Sequence, residues 1–272
     1  MAPQSELVRS AAAASLAMVL VWLAGCAAGG AASGGDLQQR VTASDQTDTD
    51  RRSRVRLELA SLYFGRGQLE TALDEVKLAL VANPASVEAY NLRGLIYGSL
   101  GDRALAQDSF QRALQINPRD ADTLHNSAWF QCQQGRFAEA AAQFQLALAQ
   151  PQYTGVGRTL LGQGVCEARA GLWLEAERSL SKAYEQDPSN PVTAFNLSEV
   201  LLKRGELERA RFYVRRVNAV PELVSAQTLW LAARIERRMD NELEVRELGA
   251  QLRARFPQSP EALQFDRGRF ND

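Results

Sequence analysis

The sequence predicts an all-α solenoid of about six helix pairs, and three observations carry that prediction. Alanine is abundant while the β-branched residues are sparse, a balance that favours helix over strand. Matched motifs end in prolines spaced thirty-four residues apart, as at Pro84 and Pro118, which is the period of a repeating helix-turn-helix unit. Glycine recurs midway through successive units, at Gly67, Gly101, Gly135, Gly171 and Gly205, where a tight turn demands a backbone that side chains resist. With 46% hydrophobic and 23% charged residues, the 272-residue chain has the material for a sizeable core.

The elements follow in order from the amino terminus. Residues 1–25 carry Arg9 and then a short apolar run from Ala11 to Ala24, too short for a comfortable membrane span. The run ends in Leu23-Ala24-Gly25-Cys26, which resembles a bacterial lipobox. That resemblance implies diacylglycerol on the Cys26 thiol, cleavage before it, and a mature chain that starts at a lipidated Cys26. Stable anchoring takes two or more acyl chains, which such termini supply. Ala27 follows, not Asp, and the sorting rule for such proteins then implies the outer membrane, with the body of the protein on its periplasmic face. Residues 26–50 are rich in Gly, Ala, Ser, Thr, Asp and Gln and read as a flexible tether. As a random coil it reaches on the order of 25 Å.

Residues 51–257 hold the repeats, at about 53–86, 87–120, 121–156, 157–190, 191–224 and 225–257. With the closing proline as position thirty-two, the second unit reads Tyr90 at four, Gly94 at eight, Tyr97 at eleven, Ala106 at twenty, Phe110 at twenty-four, Ala113 at twenty-seven and Pro118. This resembles the tetratricopeptide consensus. Small residues at eight and twenty let the two helices cross closely, aromatics fill the gap, and proline stops the second helix. The first unit matches with Ala60, Tyr63, Ala72, Ala79 and Pro84, and the third with Ala128, Gly135, Phe137, Ala140, Phe144 and Ala147. The third reaches Pro151 a residue early, and a two-residue shift precedes the fourth, where Gly164, Gly171, Trp173, Ala176, Ala183 and Pro188 restore the frame. The fifth keeps Leu197, Gly205, Ala210 and Val217 before Pro221. A sixth pair, roughly 222–238 and 241–256, is divergent and lacks clean small residues at eight and twenty. Residues 258–272 are expected to cap the last apolar face, with a short helix over 260–267.

In such a solenoid the first (A) helix of each pair lines a concave groove. Positions two, five, nine and twelve are expected to face it, which places Arg54, Leu57, Asn91, Leu95, His125, Trp129, Leu161, Val165, Phe195 and Glu199 along one surface. Trp129, Leu161 and Phe195 stand where polar residues would suit a surface with no partner, and exposed aromatics in a concavity serve as binding anchors. His125 reads more readily as a solvated side chain than as a contact residue. Cys132 and Cys166 fall at positions twelve and ten of adjacent A helices, which point in different directions, so buried free thiols are favoured over a disulfide.

Several function classes are excluded. A formal net charge of -1 provides no global field for nucleic acid. One histidine and three scattered cysteines are too few for a transition-metal site. No G-x-S-x-G, P-loop or H-E-x-x-H motif is present, so neither an enzyme activity nor a cofactor is expected.

A lipobox, a short tether and about six tetratricopeptide units are together similar to the PilF/PilW family of type IV pilus biogenesis lipoproteins. The stretch from Glu88 to Tyr97 and the later Phe195 to Glu199 look like that family's repeats in particular. The resemblance implies a pilotin: an outer-membrane-anchored scaffold, expected to be a monomer, whose partner is the type IV pilus secretin. A lipoprotein of the outer-membrane barrel assembly machinery and an adaptor for a periplasmic peptidoglycan hydrolase are the alternatives. The former lacks the regular thirty-four-residue proline spacing.

Overall fold

The computed structural model describes residues 48–270, so Cys26 and the signal segment lie outside the described residues. The first turn of α1 (Asp48–Gly65) corrects the expected extent of the tether, since residues 48–50 are helical. Asp48 and Asp50 place negative charge at the helix amino terminus, where the backbone dipole favours it.

The helices run in antiparallel pairs. α1 pairs with α2 (Leu69–Ala82), α3 (Val87–Leu100) with α4 (Arg103–Ile116), and α5 (Ala121–Gln133) with α6 (Phe137–Leu148). α7 (Val156–Arg169) pairs with α8 (Trp173–Gln186), α9 (Pro191–Arg204) with α10 (Leu207–Asn218), and α11 (Ala226–Arg238) with α12 (Glu242–Arg255). The short α13 (Pro260–Asp266) closes the stack. Among the described residues every regular element is helical. Each A helix also packs on the pair that follows, so the six pairs form one tetratricopeptide solenoid.

Local chemistry sets the helix limits. Ser86, Asp102, Asp120, Asn190 and Ser259 each accept a backbone N–H from the first turn of the helix that follows, satisfying an otherwise unpaired donor. The five turn glycines all have left-handed φ angles, between 72° and 83°. In the sixth pair the same turn is made by Asp240, at φ 58°, a residue type that tolerates this region better than most.

The small residue at position eight has a direct steric reason. A Cβ on Gly94 would lie 2.6 Å from the Phe110 ring, and one on Gly164 would lie 2.6 Å from Leu180 Cγ. Position eight thus receives the large side chain at position twenty-four of the second (B) helix. In the sixth pair, with Pro257 as position thirty-two, Ala233 is fully buried at position eight, so the expectation that this site lacks a small residue is corrected. The pair does diverge at position twenty, where the buried Val245 replaces a small residue, and at position twenty-four, which is Gly249, where the Phe265 ring of α13 occupies the space that a side chain would take. The pair also begins later than expected. A capping box between Ser225 and Thr228 starts α11 at Ala226, after a single 3-10 turn at Pro221–Leu223.

Candidate functional site

The A helices α1, α3, α5, α7, α9 and α11 are related by successive steps along the stack. The flank that one of them offers its successor is therefore opposite the flank it offers its predecessor. Contacts between neighbours identify the two flanks. His125, at position five of α5, hydrogen-bonds through Nδ1 to Thr159 Oγ1, at position three of α7, at 3.0 Å. Asn126 donates to Asn91 Oδ1 at 3.1 Å. The Phe130 ring, at position ten of α5, lies 3.6 Å from where a Cβ on Gly98, at position twelve of α3, would stand. Positions five and twelve thus turn toward the next A helix, and positions three and ten toward the previous one.

This geometry corrects the reading of the cysteines. Cys132 and Cys166 form a disulfide with a Cα separation of 5.8 Å. Two residues along a helix differ in direction by about 200°. Positions twelve and ten therefore point opposite ways on their own helices, which is what two facing neighbours in a translational stack require. The bond joins the third and fourth repeats, where the thirty-four-residue frame slips.

His125 is likewise corrected: it is buried, not solvated. Its ring meets the edge of Phe144 with centroids 5.8 Å apart. Burial, assisted by the nearby Arg158 charge, lowers its pKa to about 4, so it stands neutral near pH 7. Thr159 also shares a 2.8 Å hydrogen bond with the Tyr153 hydroxyl. Arg158 in turn bonds Asp122 and Tyr153. The polar chain from His125 to Tyr153 fixes the loop that absorbs the slip between these two repeats.

The other predicted groove residues divide by position. At position five, Leu57, Asn91, Leu161 and Phe195 are half-buried and lean on the next helix, Leu57, Leu161 and Phe195 within apolar clusters. At position nine, Leu95, Trp129 and Val165 are half-buried and also pack against apolar clusters, Glu199 is half-buried, and Arg54 at position two is exposed. Glu199 borders two adjoining cavities, shared with Arg234 of α11. Burial pushes its carboxyl pKa up, against the opposing pull of Arg234 and Lys203. The residues that sequence reading missed here are Arg234, Asn196 and Trp230. Arg234 was within reach, since counting back from Pro257 puts it at position nine of the sixth repeat. Among the described residues no group of three or more side chains is placed to hold a metal ion.

Comparison with known proteins fits this geometry. Models described as tetratricopeptide repeat match residues 87–120, 109–142, 131–191 and 168–220. The type IV pilus assembly protein PilF of Pseudomonas aeruginosa is 24% identical over 253 residues, covering 93% of this chain and 97% of that protein. The crystal structure of PilW, described as a widely conserved type IV pilus biogenesis factor, has a TM-score of 0.74 at 31% identity, over 78% of this chain and 97% of that one. The chain belongs to the PilF/PilW family. A solved structure of the Pseudomonas aeruginosa PilF shares the fold of this PilF/PilW-family chain, with a TM-score of 0.71 at 22% identity over 82% of this chain and 100% of that one.

Proposed function

We propose that the chain is an outer-membrane lipoprotein that binds the type IV pilus secretin through its repeats and promotes the localisation and assembly of that secretin. The observation that carries this reading is the match to PilW and to PilF along almost the whole of both proteins. The PilF match leaves at most 19 of the 272 residues outside it, so it reaches across the Leu-Ala-Gly-Cys26 segment as well as the repeats. The division of labour is physical. A lipid on Cys26 holds the protein at one membrane and raises the effective concentration of its partner there, while the concave A-helix surface supplies recognition. The half-buried apolar side chains at position nine, Leu95, Trp129 and Val165, are suited to receive an apolar segment of a client.

The test is a Cys26→Ser strain, with membrane fractionation, secretin multimer analysis and capture of envelope proteins by the chain. The expected result is loss of the protein from the outer-membrane fraction, a matching loss of secretin multimers, and the secretin as dominant client of the wild type. Normal multimers in the Cys26→Ser strain would overturn the lipid-dependent part. Capture of barrel precursors or of a murein hydrolase in place of the secretin would overturn the client.

A further inference from the structure

Position nine of the A helices forms a row along the concave face: Leu95, Trp129, Val165, Glu199 and Arg234. The row is apolar through the second, third and fourth repeats and becomes a carboxylate followed by a guanidinium in the last two. Two cavities meet at that charged pair. One, of about 220 Å³, has apolar walls from Val165, Ala168 and Trp173 and carries Arg169 and Lys203. The other, of about 370 Å³, has Phe195, Trp230 and Leu231 as apolar walls and carries Glu261.

The pair is not self-sufficient. Among the described residues Glu199 makes no hydrogen bond or ion-pair contact, although it lies in the field of Arg234 and Lys203. Among the described residues the Arg234 guanidinium, which lines both cavities, makes no hydrogen bond or ion-pair contact either. A half-buried guanidinium and a half-buried carboxylate that both lack hydrogen-bond partners can be satisfied together by a ligand that offers both a C=O and an N–H. One residue of an extended chain does so, because its N–H and C=O point to the same side, as in a hydrogen-bonded pair of an antiparallel sheet. The residues before and after it share a face, about 7 Å apart, and the two cavities on either side of Glu199 and Arg234 give such side chains apolar walls. The charges at the cavity rims add polarity. Arg169 and Lys203 favour an acidic neighbour at one end, and Glu261 favours a basic one at the other.

We infer that the C-terminal half of the concave face seats an extended peptide segment of a protein partner: one residue's backbone bridges Glu199 and Arg234, an apolar side chain on either side fills each cavity, and an acidic residue lies toward Arg169 and Lys203. This rests on the reading of the concave face as the client surface and specifies which part grips and what chemistry it grips.

The test uses the purified full chain and three fluorophore-labelled, end-blocked peptides: Asp-Leu-Ser-Leu-Lys, its reverse Lys-Leu-Ser-Leu-Asp, and the control Asp-Ala-Ser-Ala-Lys. Binding is read by anisotropy. One of the two leucine peptides should bind at least tenfold more tightly than the control, the preferred order giving the direction of the segment. Arg234→Gln and Glu199→Gln should each weaken it at least fivefold with an unchanged thermal melt, while Ser61→Ala, at position nine of the first repeat, should leave it unaltered. Absence of saturable binding, or binding by either glutamine variant as tight as the wild type's, overturns the inference. Secretin capture separates it from the broader reading. Variants that capture secretin as the wild type does overturn the subsite and leave the scaffold role standing. A wild type that binds the leucine peptide but captures no secretin overturns the client and leaves the subsite standing.

Discussion

The two ends of the solenoid solve the same problem differently. At the C-terminal end, α13 lies over the last helix pair. Phe265 sits against Gly249, and Trp230, Phe265 and Phe270 form an aromatic group with centroid separations of 5.0 to 6.3 Å. At the N-terminal end, α1 presents Val55 and Leu62, 50% and 58% exposed, at positions three and ten. In the inner repeats those positions are the buried seats of Thr159, Cys166 and Phe130 against the preceding A helix. One end is sealed by an added helix, and the other keeps inward-facing residue types with no described helix against them. In a stack whose stability is close to a sum of nearest-neighbour terms, the first repeat lacks one such term among the described residues.

The buried charge of the C-terminal half gives the largest way to test this contrast. Glu236 is only 2% exposed and accepts from Arg215 at 2.9 Å and from Asn241 at 2.8 Å, with Arg211 also within ion-pair distance. Glu236→Ala breaks two hydrogen bonds to a buried carboxylate, each worth about 1.5–3 kcal/mol, and should lower the denaturation midpoint sharply. Arg56→Ala, at the more exposed pair with Glu75, should cost under about 1 kcal/mol. Similar losses in the two variants would erase the distinction between the ends.

Next in size is the bond between the third and fourth repeats. Cys132 and Cys166 are 34 residues apart, and closing a loop of that length stabilises by roughly 3–4 kcal/mol on chain-entropy grounds. Reduction should therefore lower the melting temperature, and hydrogen exchange should rise first in the repeats on the N-terminal side. Exchange that rises first around α11 to α13 would reverse the comparison.

Acidification acts at the same junction. A folded-state pKa of about 4 for His125, below its ordinary 6.5, means that the unfolded chain takes up the proton first. Its stabilising effect is then complete above pH 6.5, declines as pH falls toward 4, and levels off below. The loss is on the order of 2–4 kcal/mol. Melting curves between pH 7 and pH 4 should show it, and His125→Gln should flatten that part of the profile.

The smallest effect concerns the N-terminal seats. Leu62→Ser and Val55→Ser should change stability by less than about 0.5 kcal/mol, whereas a polar residue in place of Phe130, the buried equivalent at position ten, should cost several times more. A large loss from Leu62→Ser would mean that the N-terminal flank is covered after all.

Sequence alone determined much about this protein: the helical class, the number of pairs, the five glycine turns and the closing helix. Each is written in local spacing, because a left-handed turn, a proline stop and a small residue under a large one are requirements within a single thirty-four-residue unit. Tertiary structure decided what lies between units. Positions twelve and ten looked incompatible for Cys132 and Cys166 until the stack showed that facing flanks of neighbouring A helices are opposite flanks. His125 looked solvated until α7 was seen against it. Arg234 escaped notice because the sixth repeat keeps the frame but has Asp240 at its turn and Gly249 under Phe265, so no familiar residue marks it. Local rules fix a helix pair because its contacts are near in sequence. The partners of a side chain on its outer flanks come from the next repeat, and the angle at which that repeat packs is set by the stack as a whole.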